Sequence, residues 1–466
     1  MLMYFSNVPS ITRKTLAGLL IGAVAAVATP AAADDSGSAR ISVGGKLRLE
    51  SRYMMSEACN IVYGRVDGEA SAADLKKHIG LFDQMIEALR NGDMALALQA
   101  PETQRRVLAA LDGVVEDWVP LSADLRAVAE GRDAADAFQR ILAQREGIVD
   151  STGSLLAILS GTYSSAEKFS FGAVLAVNIV DRQQVLLEEM ALDECVAASG
   201  LPQATESAAR LEENVGVFAA SMDGLMKGQA EVGLMAPPTD GVRGSLERAA
   251  ALWVNFRPML EGDAGAGEAA LEARVALERE LTNARLLYLL ATSSQPDLYR
   301  IPLETYAKEQ LERWLLEPQV ILALRTQNDA HRDFDLAKIE EMDQTWRAAR
   351  KGGDRAIITE MMARPLSELL LRYQTATNGI VTEVFVMDDK GLNVGQSAVT
   401  SDLWQGDEDK WQQTYAAPGT DYHVSEVEFD ESTGFYQVQV SMSIADPVTQ
   451  EKLGAVTFGV NIQSLL

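Results

Sequence analysis

The stretch Leu75-Lys76-Lys77-His78-Ile79-Gly80-Leu81-Phe82-Asp83-Gln84-Met85-Ile86-Glu87-Ala88-Leu89-Arg90-Asn91-Gly92 decides how most of this chain is read. Leu75, Ile79, Phe82, Ile86 and Leu89 recur at three- and four-residue steps, the spacing of one buried helix face. Asn91-Gly92-Asp93 then ends the pattern, as a break between helices does. The same texture, dominated by the strong helix formers Ala, Leu, Glu and Arg, continues from Ile41 to about Asn378. Further breaks fall at Gly64-Arg65-Val66-Asp67-Gly68, Ala236-Pro237-Pro238 and Gly262-Asp263-Ala264-Gly265-Ala266-Gly267.

The decisive stretch has a copy. A shift of 136 residues lays Leu75 on Leu211, Gly80 on Gly216, Phe82 on Phe218, Leu89 on Leu225 and Gly92 on Gly228. The same shift pairs Met54 with Met190, Cys59 with Cys195 and Gly64 with Gly200; after a one-residue slip Trp118 meets Trp253. Scarce residues coinciding in register mark duplicated structural units. The expectation is two antiparallel helical bundles, over residues 34–160 and 161–295, with a helical connector over 296–354.

Near residue 379 the texture changes. Ile380 to Met387 is β-rich and Asp388-Asp389-Lys390-Gly391 is a turn signal. Val424 to Phe429 and Phe435 to Ile444 alternate across the turn Asp430-Glu431-Ser432-Thr433-Gly434, and Leu453 to Ile462 reads as a closing strand. A helix over Arg355 to Thr377 is expected to lead into this sheet. The fold class is therefore mainly α with a C-terminal α+β domain over 355–466, its sheet mostly antiparallel.

Composition limits the function. The 466 residues carry 41 Lys and Arg against 67 Asp and Glu, a net charge of −26. That balance excludes a protein that grips nucleic acid by neutralising phosphates, and it disfavours docking on anionic lipid. His78, His331 and His423 lie far apart without partner cysteines, so no histidine-rich metal site is expected. Asp388-Asp389 and Asp407-Glu408-Asp409 lack calcium-loop spacing. No Gly-x-Ser-x-Gly, His-Glu-x-x-His or phosphate-loop signature occurs, and the glycine run at 262–267 reads as an inter-helix linker. The chain reads as a non-enzyme with no cofactor.

At the start, Arg13-Lys14 precedes the apolar run Leu16 to Ala28, and Ala31-Ala32-Ala33 gives way to Asp34-Asp35. This is the pattern of a cleaved secretory signal over residues 1–33, the run being short of the ~20 residues a spanning helix needs. Deleting Arg13 and Lys14 from a chain of net charge −26 leaves −28. The expected location is the bacterial periplasm.

Gly45-Lys46-Leu47-Arg48-Leu49-Glu50-Ser51-Arg52-Tyr53-Met54 resembles the signature helix of the PilJ-type domain, the N-terminal sensor module of type IV pili methyl-accepting chemotaxis transducers. That module is related to the helical sensors of nitrate/nitrite histidine kinases, whose signature contains Gly-x-Leu-Arg-x-x-Ser. Val177 to Ala191 resembles the same helix, so the resemblance covers roughly 40–295 in two copies. It implies an anion-binding role for Arg48, because the nitrate sensors hold their anion on that arginine where two subunits meet; it also admits a homodimer. Gln184 takes the matching place in the second copy. A planar guanidinium suits an oxyanion; the other reading pairs Arg48 with Glu50 or Glu57, or leaves it on a solvated face.

Residues 355–466 resemble a single Cache (PDC-type, PAS-like) sensor domain. Val386-Met387-Asp388-Asp389-Lys390-Gly391-Leu392-Asn393-Val394-Gly395-Gln396-Ser397 matches its first hairpin. Ser443 to Val448 and Leu453 to Val460 match its closing strands. The resemblance implies a ligand pocket between the sheet and the segment Ser401 to Trp411. In it Asp402 and Asp407 would meet a cationic or amine ligand against the faces of Trp404 and Trp411. The competing reading has both tryptophans plugging the sheet as core, with the acids in solvent.

Cys59 and Cys195 stand at equivalent repeat positions. They either join in a disulfide, if the two signature helices pack side by side, or stay as buried thiols in separate bundles. Together these readings point to an extracytoplasmic small-molecule sensor that signals through a membrane-bound partner. The alternative is a non-enzymatic structural or adaptor protein of the envelope with a degenerate Cache pocket.

Overall fold

A computed structural model describes residues 36–163, 171–260, 267–293, 299–418, 422–430 and 434–465. The expected export signal (residues 1–33), most of the glycine linker at 262–267 and residues 431–433 of the expected turn lie outside them. Among the described residues the chain is mainly α, with an α+β part at the C-terminal end.

Two successive groups of helices share one layout. The first is α1 (Gly37–Val62), α2 (Gly68–Asn91), a 3-10 turn (Met94–Leu96), α3 (Arg105–Ala129) and α4 (Ala134–Tyr163). The second is α5 (Phe171–Ala198), α6 (Ala204–Lys227), a 3-10 turn (Ala230–Val232), α7 (Asp240–Leu260) and α8 (Gly267–Thr292). Asp67 caps α2 by accepting from the amides of Glu69 and Ala70, which satisfies donors that the first turn leaves open.

The periodic residues face inward as amphipathicity requires: Leu75, Ile79, Phe82, Ile86 and Leu89 are all buried. Phe82 stacks on Trp118 at 4.0 Å between ring centroids, and Phe218 meets Trp253 at 4.2 Å. The shared glycines have a backbone reason. Gly92 and Gly228 end α2 and α6 at φ +79° and +75°, and a Cβ on Gly228 would lie 2.6 Å from the Ala236 amide nitrogen; no other residue fits such a turn without strain.

The two groups meet along α1 and α5. Their contacts recur at sequence offsets close to 136: Arg52 with Glu189 at 3.1 Å, and Cys59 bonded to Cys195 with a Cα separation of 6.2 Å. Equal offsets mean that the two helices run parallel and nearly in register. Arg65 reaches Glu194, and Arg145 reaches the fully buried Asp193, to complete the seam.

A run of shorter helices follows: α9 (Arg300–Tyr306), a π-helical turn (Ala307–Leu311), α10 (Glu312–Leu315), α11 (Pro318–Ala330) and α12 (Leu336–Arg350). The helix expected over 355–377 is instead two, α13 (Ala356–Met362) and α14 (Pro365–Ala376). Pro365 opens α14, and the residue before a proline is pushed out of the helical region; Arg364 accordingly sits at φ −65°, ψ 141°.

The sheet comprises β1 (Val381–Met387), β2 (Asn393–Gln396), β3 (Tyr422–Val424), β4 (Glu428–Asp430), β5 (Phe435–Ala445) and β6 (Lys452–Val460). Its order is β2-β1-β6-β5-β3, with β4 on β5 and every pairing antiparallel. Alternation sorts the two faces. Val384, Val386, Val440, Val456 and Phe458 pack on α11 and α14 through Val320, Leu324, Leu366 and Leu370. Phe385, Met387 and Ala455 face the other way, toward Trp411 and Tyr415.

Candidate functional site

The second sheet face carries a cavity of about 190 Å³ lined by Glu383 and Phe385 of β1, Gln439 of β5, Lys410 and Gln405 of the crossing segment, and Arg350 at the end of α12, among others. Glu383 is an acid inside an apolar strand. It shares the pleat side of Phe385, so the alternation that buries Phe385 buries Glu383 as well. Space comes from the neighbouring strand: a Cβ on Gly459 would lie 2.6 Å from Glu383 Cγ. The Gln437 and Gln439 amides donate to Glu383 Oε1 at 3.0 and 3.3 Å. Burial, with Asp430 nearby, raises the pKa of the carboxyl above the usual range.

Facing it, Lys410 Nζ lies 5.3 Å from the Phe385 ring centroid and donates to Gln405 Oε1 at 3.0 Å. The cavity thus presents an acid, an ammonium, amide groups and an aromatic face. That set suits a small ligand bearing both charges.

None of the four residues expected in this pocket is on its lining. Trp404 packs with Leu392, Leu403 and the fully buried Trp346, and its indole N–H donates to Lys390 O at 2.9 Å. Trp411 packs with Phe385 and Tyr415, and its N–H donates to Asp388 O at 3.1 Å. The tryptophans are not brought together. Asp402 accepts from Arg347 at 3.2 Å and from the Gln405 amide, so it orients a cavity residue from behind. Asp407 is exposed. Glu383 was missed by sequence reasoning although a lone acid in the run Ile380 to Met387 was its signal; Lys410 lay in the quoted segment without being singled out.

Asp388, fully buried, accepts from Gln327, His331 and the Lys390 and Leu392 amides, which occupies both its oxygens. Among the described residues no group of three or more His, Cys, Asp or Glu is arranged to hold a metal ion.

Arg48 and Gln184, matched by the repeat, do come together. Both line a recess of about 100 Å³ with Asp181 and Arg285. Arg48 makes no ion pair with Glu50 or Glu57: Glu50 is taken by His78 Nδ1 at 2.6 Å, and the acids acting on Arg48 are Asp181 and Glu189. Burial lowers the pKa of its guanidinium, the two acids opposing that shift. Gln184 donates to Thr282 Oγ1 at 2.7 Å. Elsewhere between the two groups of helices, Arg274 of α8 is buried against Glu188 at 2.7 Å and Ser56 Oγ at 3.0 Å. Burial raises the Glu188 pKa, with Arg274 opposing.

Residues 32–143 match the PilJ family, described as the type IV pili methyl-accepting chemotaxis transducer N-terminal domain. The region from α1 into α4 is therefore similar to that N-terminal domain. No curated protein matches the chain. No helix among the described residues is long and apolar enough to cross a membrane.

Proposed function

We propose that this chain is an extracytoplasmic sensor that holds a small zwitterion, of the amino-acid class, in the sheet-face cavity and passes the signal to a membrane-bound partner. The observation that carries the reading is the facing pair in that cavity. Glu383 would meet the ligand's ammonium, and Lys410 with Arg350 its carboxylate, over the Phe385 ring. Asp402 and the two tryptophans act from behind, fixing Gln405 and the loop at 388–390. The PilJ match supplies the signalling context, since that family's name ties it to chemotaxis transducers.

Two further parts of the reading belong here. The shared layout of α1–α4 and α5–α8, with their stacked Phe–Trp pairs, supports a tandem of PilJ-type units over 34–160 and 161–295. The single antiparallel sheet with helices across one face supports a Cache-like domain over 355–466, joined by a connector over 296–354. Export with cleavage of residues 1–33 would put all of it in the periplasm.

The test is a thermal-shift and calorimetric screen of free amino acids and simple amines. A binder at about one hundred times its Kd stabilises by about 2.7 kcal/mol. Glu383→Gln is expected to weaken it about tenfold or more, because a neutral amide cannot balance an ammonium in a dry site. Absence of any shift at millimolar ligand would refute the sensor reading and favour the structural or adaptor one.

A further inference from the structure

A second and larger cavity, of about 540 Å³, lies where α1 and α8 face the C-terminal sheet. Lys46 from α1 and Arg279 from α8 form one side; Gln374 at the end of α14, Thr382 of β1 and Phe435 of β5 form the other. It runs into the Arg48 recess, since Lys46 and Gln184 wall both.

The charges lining it do not cancel. The two acids on its walls are occupied or neutral: Glu50 is bonded to His78 at 2.6 Å, and in the adjoining recess Asp181 is bonded to Arg285 at 2.9 Å. Burial, reinforced by Glu188, raises the pKa of the Glu278 carboxyl to about 8, so it stays protonated at neutral pH. Of the lining cations, Lys46 donates to Asn378 O at 3.2 Å, and Arg279 is in the opposite position to the acids. No hydrogen bond or ion pair to Arg279 occurs among the described residues, and its buried Nε has no partner. Arg48 Nε, around the corner, is buried and unpartnered as well. In a chain with 67 acids and 41 bases, a guanidinium left unpaired in this cavity, with a second unpartnered Nε in the adjoining recess, calls for an anion from outside, because leaving a buried donor unmade is costly.

The size and the far wall decide what kind of anion. A volume of about 540 Å³ is large for a single sulfate or nitrate, and Phe435, Val381 and Leu49 give it apolar surface. Gln374 Oε1, buried and without a partner on the sheet side, offers an acceptor for a ligand hydroxyl. We infer that this cleft is a second ligand site, for an organic polycarboxylate held by the Arg279 fork and Lys46 between the helices and the sheet. Its ligand would touch α1, α8 and the sheet together, so occupancy ties the helical part to the C-terminal part.

Citrate is the probe, titrated calorimetrically into the full chain at neutral pH, with succinate and sulfate alongside. The expected result is citrate binding with a Kd of about 1 mM or tighter and sulfate binding at least tenfold weaker. Arg279→Gln should weaken citrate about tenfold or more, and Arg279→Lys should recover only part, because a point charge lacks the planar fork. Among the described residues Arg279 makes no hydrogen bond or ion pair that its replacement would break, so the fold should stay intact, and circular dichroism checks this. Glu383→Gln should leave citrate affinity unchanged, which separates this site from the sheet-face cavity. No citrate binding at about 10 mM would overturn the inference, as would Arg279→Gln binding like the parent. Loss on Arg48→Gln with Arg279→Gln unaffected would also overturn it, by placing the anion in the smaller recess.

Discussion

Opening the Cys59–Cys195 bond should cost about 3–5 kcal/mol of stability, and the structure says why. The bond closes a loop of 136 residues in sequence separation, and that loop contains the whole of α2, α3 and α4. For a loop of this length the chain-entropy relation gives about 5 kcal/mol at 25 °C, with measured values often lower. The native contact does not depend on the bond alone. Arg52–Glu189 and Arg65–Glu194 also hold α1 to α5, so the reduced protein should keep its fold and lose stability mainly through a freer unfolded chain. Urea unfolding followed by far-UV circular dichroism, with and without a phosphine reductant, measures this. The m-value should rise on reduction, since an uncrosslinked unfolded chain exposes more surface. Cys59→Ala/Cys195→Ala should lose about 1–2 kcal/mol more, because both positions are at most 1% exposed and each truncation leaves a void. A loss below about 1 kcal/mol with an unchanged m-value would refute the loop-entropy reasoning.

Four further outcomes are expected. Arg274→Met should cost about 3–5 kcal/mol by stranding Glu188, and Arg274→Met/Glu188→Leu should recover most of that loss in the same urea titration. Burial raises the Glu278 pKa from 4.5 to about 8; in that window the unfolded chain has released a proton that the folded protein still holds. Stability should therefore fall as pH climbs from 4.5 toward 8, and melting curves of Glu278→Gln should lack that part of the slope. Trp404→Ala should cost about 3 kcal/mol by emptying its place beside Trp346, whereas Trp404→Phe should lose about 1 kcal/mol with the bond to Lys390 O; calorimetric melting separates them. The exported protein should begin at Asp34, which an intact-mass measurement decides; an uncleaved chain in the membrane fraction would make residues 1–33 an anchor.

The helical part was legible because its signals are local. The period of Leu75, Ile79, Phe82, Ile86 and Leu89 reports a face regardless of what covers it. The split between α13 and α14 was also written locally, in Arg364-Pro365, and the longer helix expected there overlooked it. The sheet-face cavity was half legible. The crossing segment 401–411 walls it, yet the side chains expected to line it do not, because carbonyls of Lys390 and Asp388 take the two indole donors. No rule of spacing predicts that a loop more than ten residues away will supply those acceptors.

By itself, then, the sequence determined what depends on neighbours along the chain: helix faces and their breaks, the change to strands near residue 379 and the excess of acid. The tertiary structure decided which of those faces meet. It set α1 parallel to α5, so that Cys59 bonds Cys195 and Arg48 shares a recess with Gln184. It also folded the sheet against α8, where Gly434 crowds Arg279 across a gap of more than 150 positions. Contacts of that kind are fixed by burial of whole apolar surfaces, which is non-directional and summed over the molecule, so no short stretch of sequence carries them.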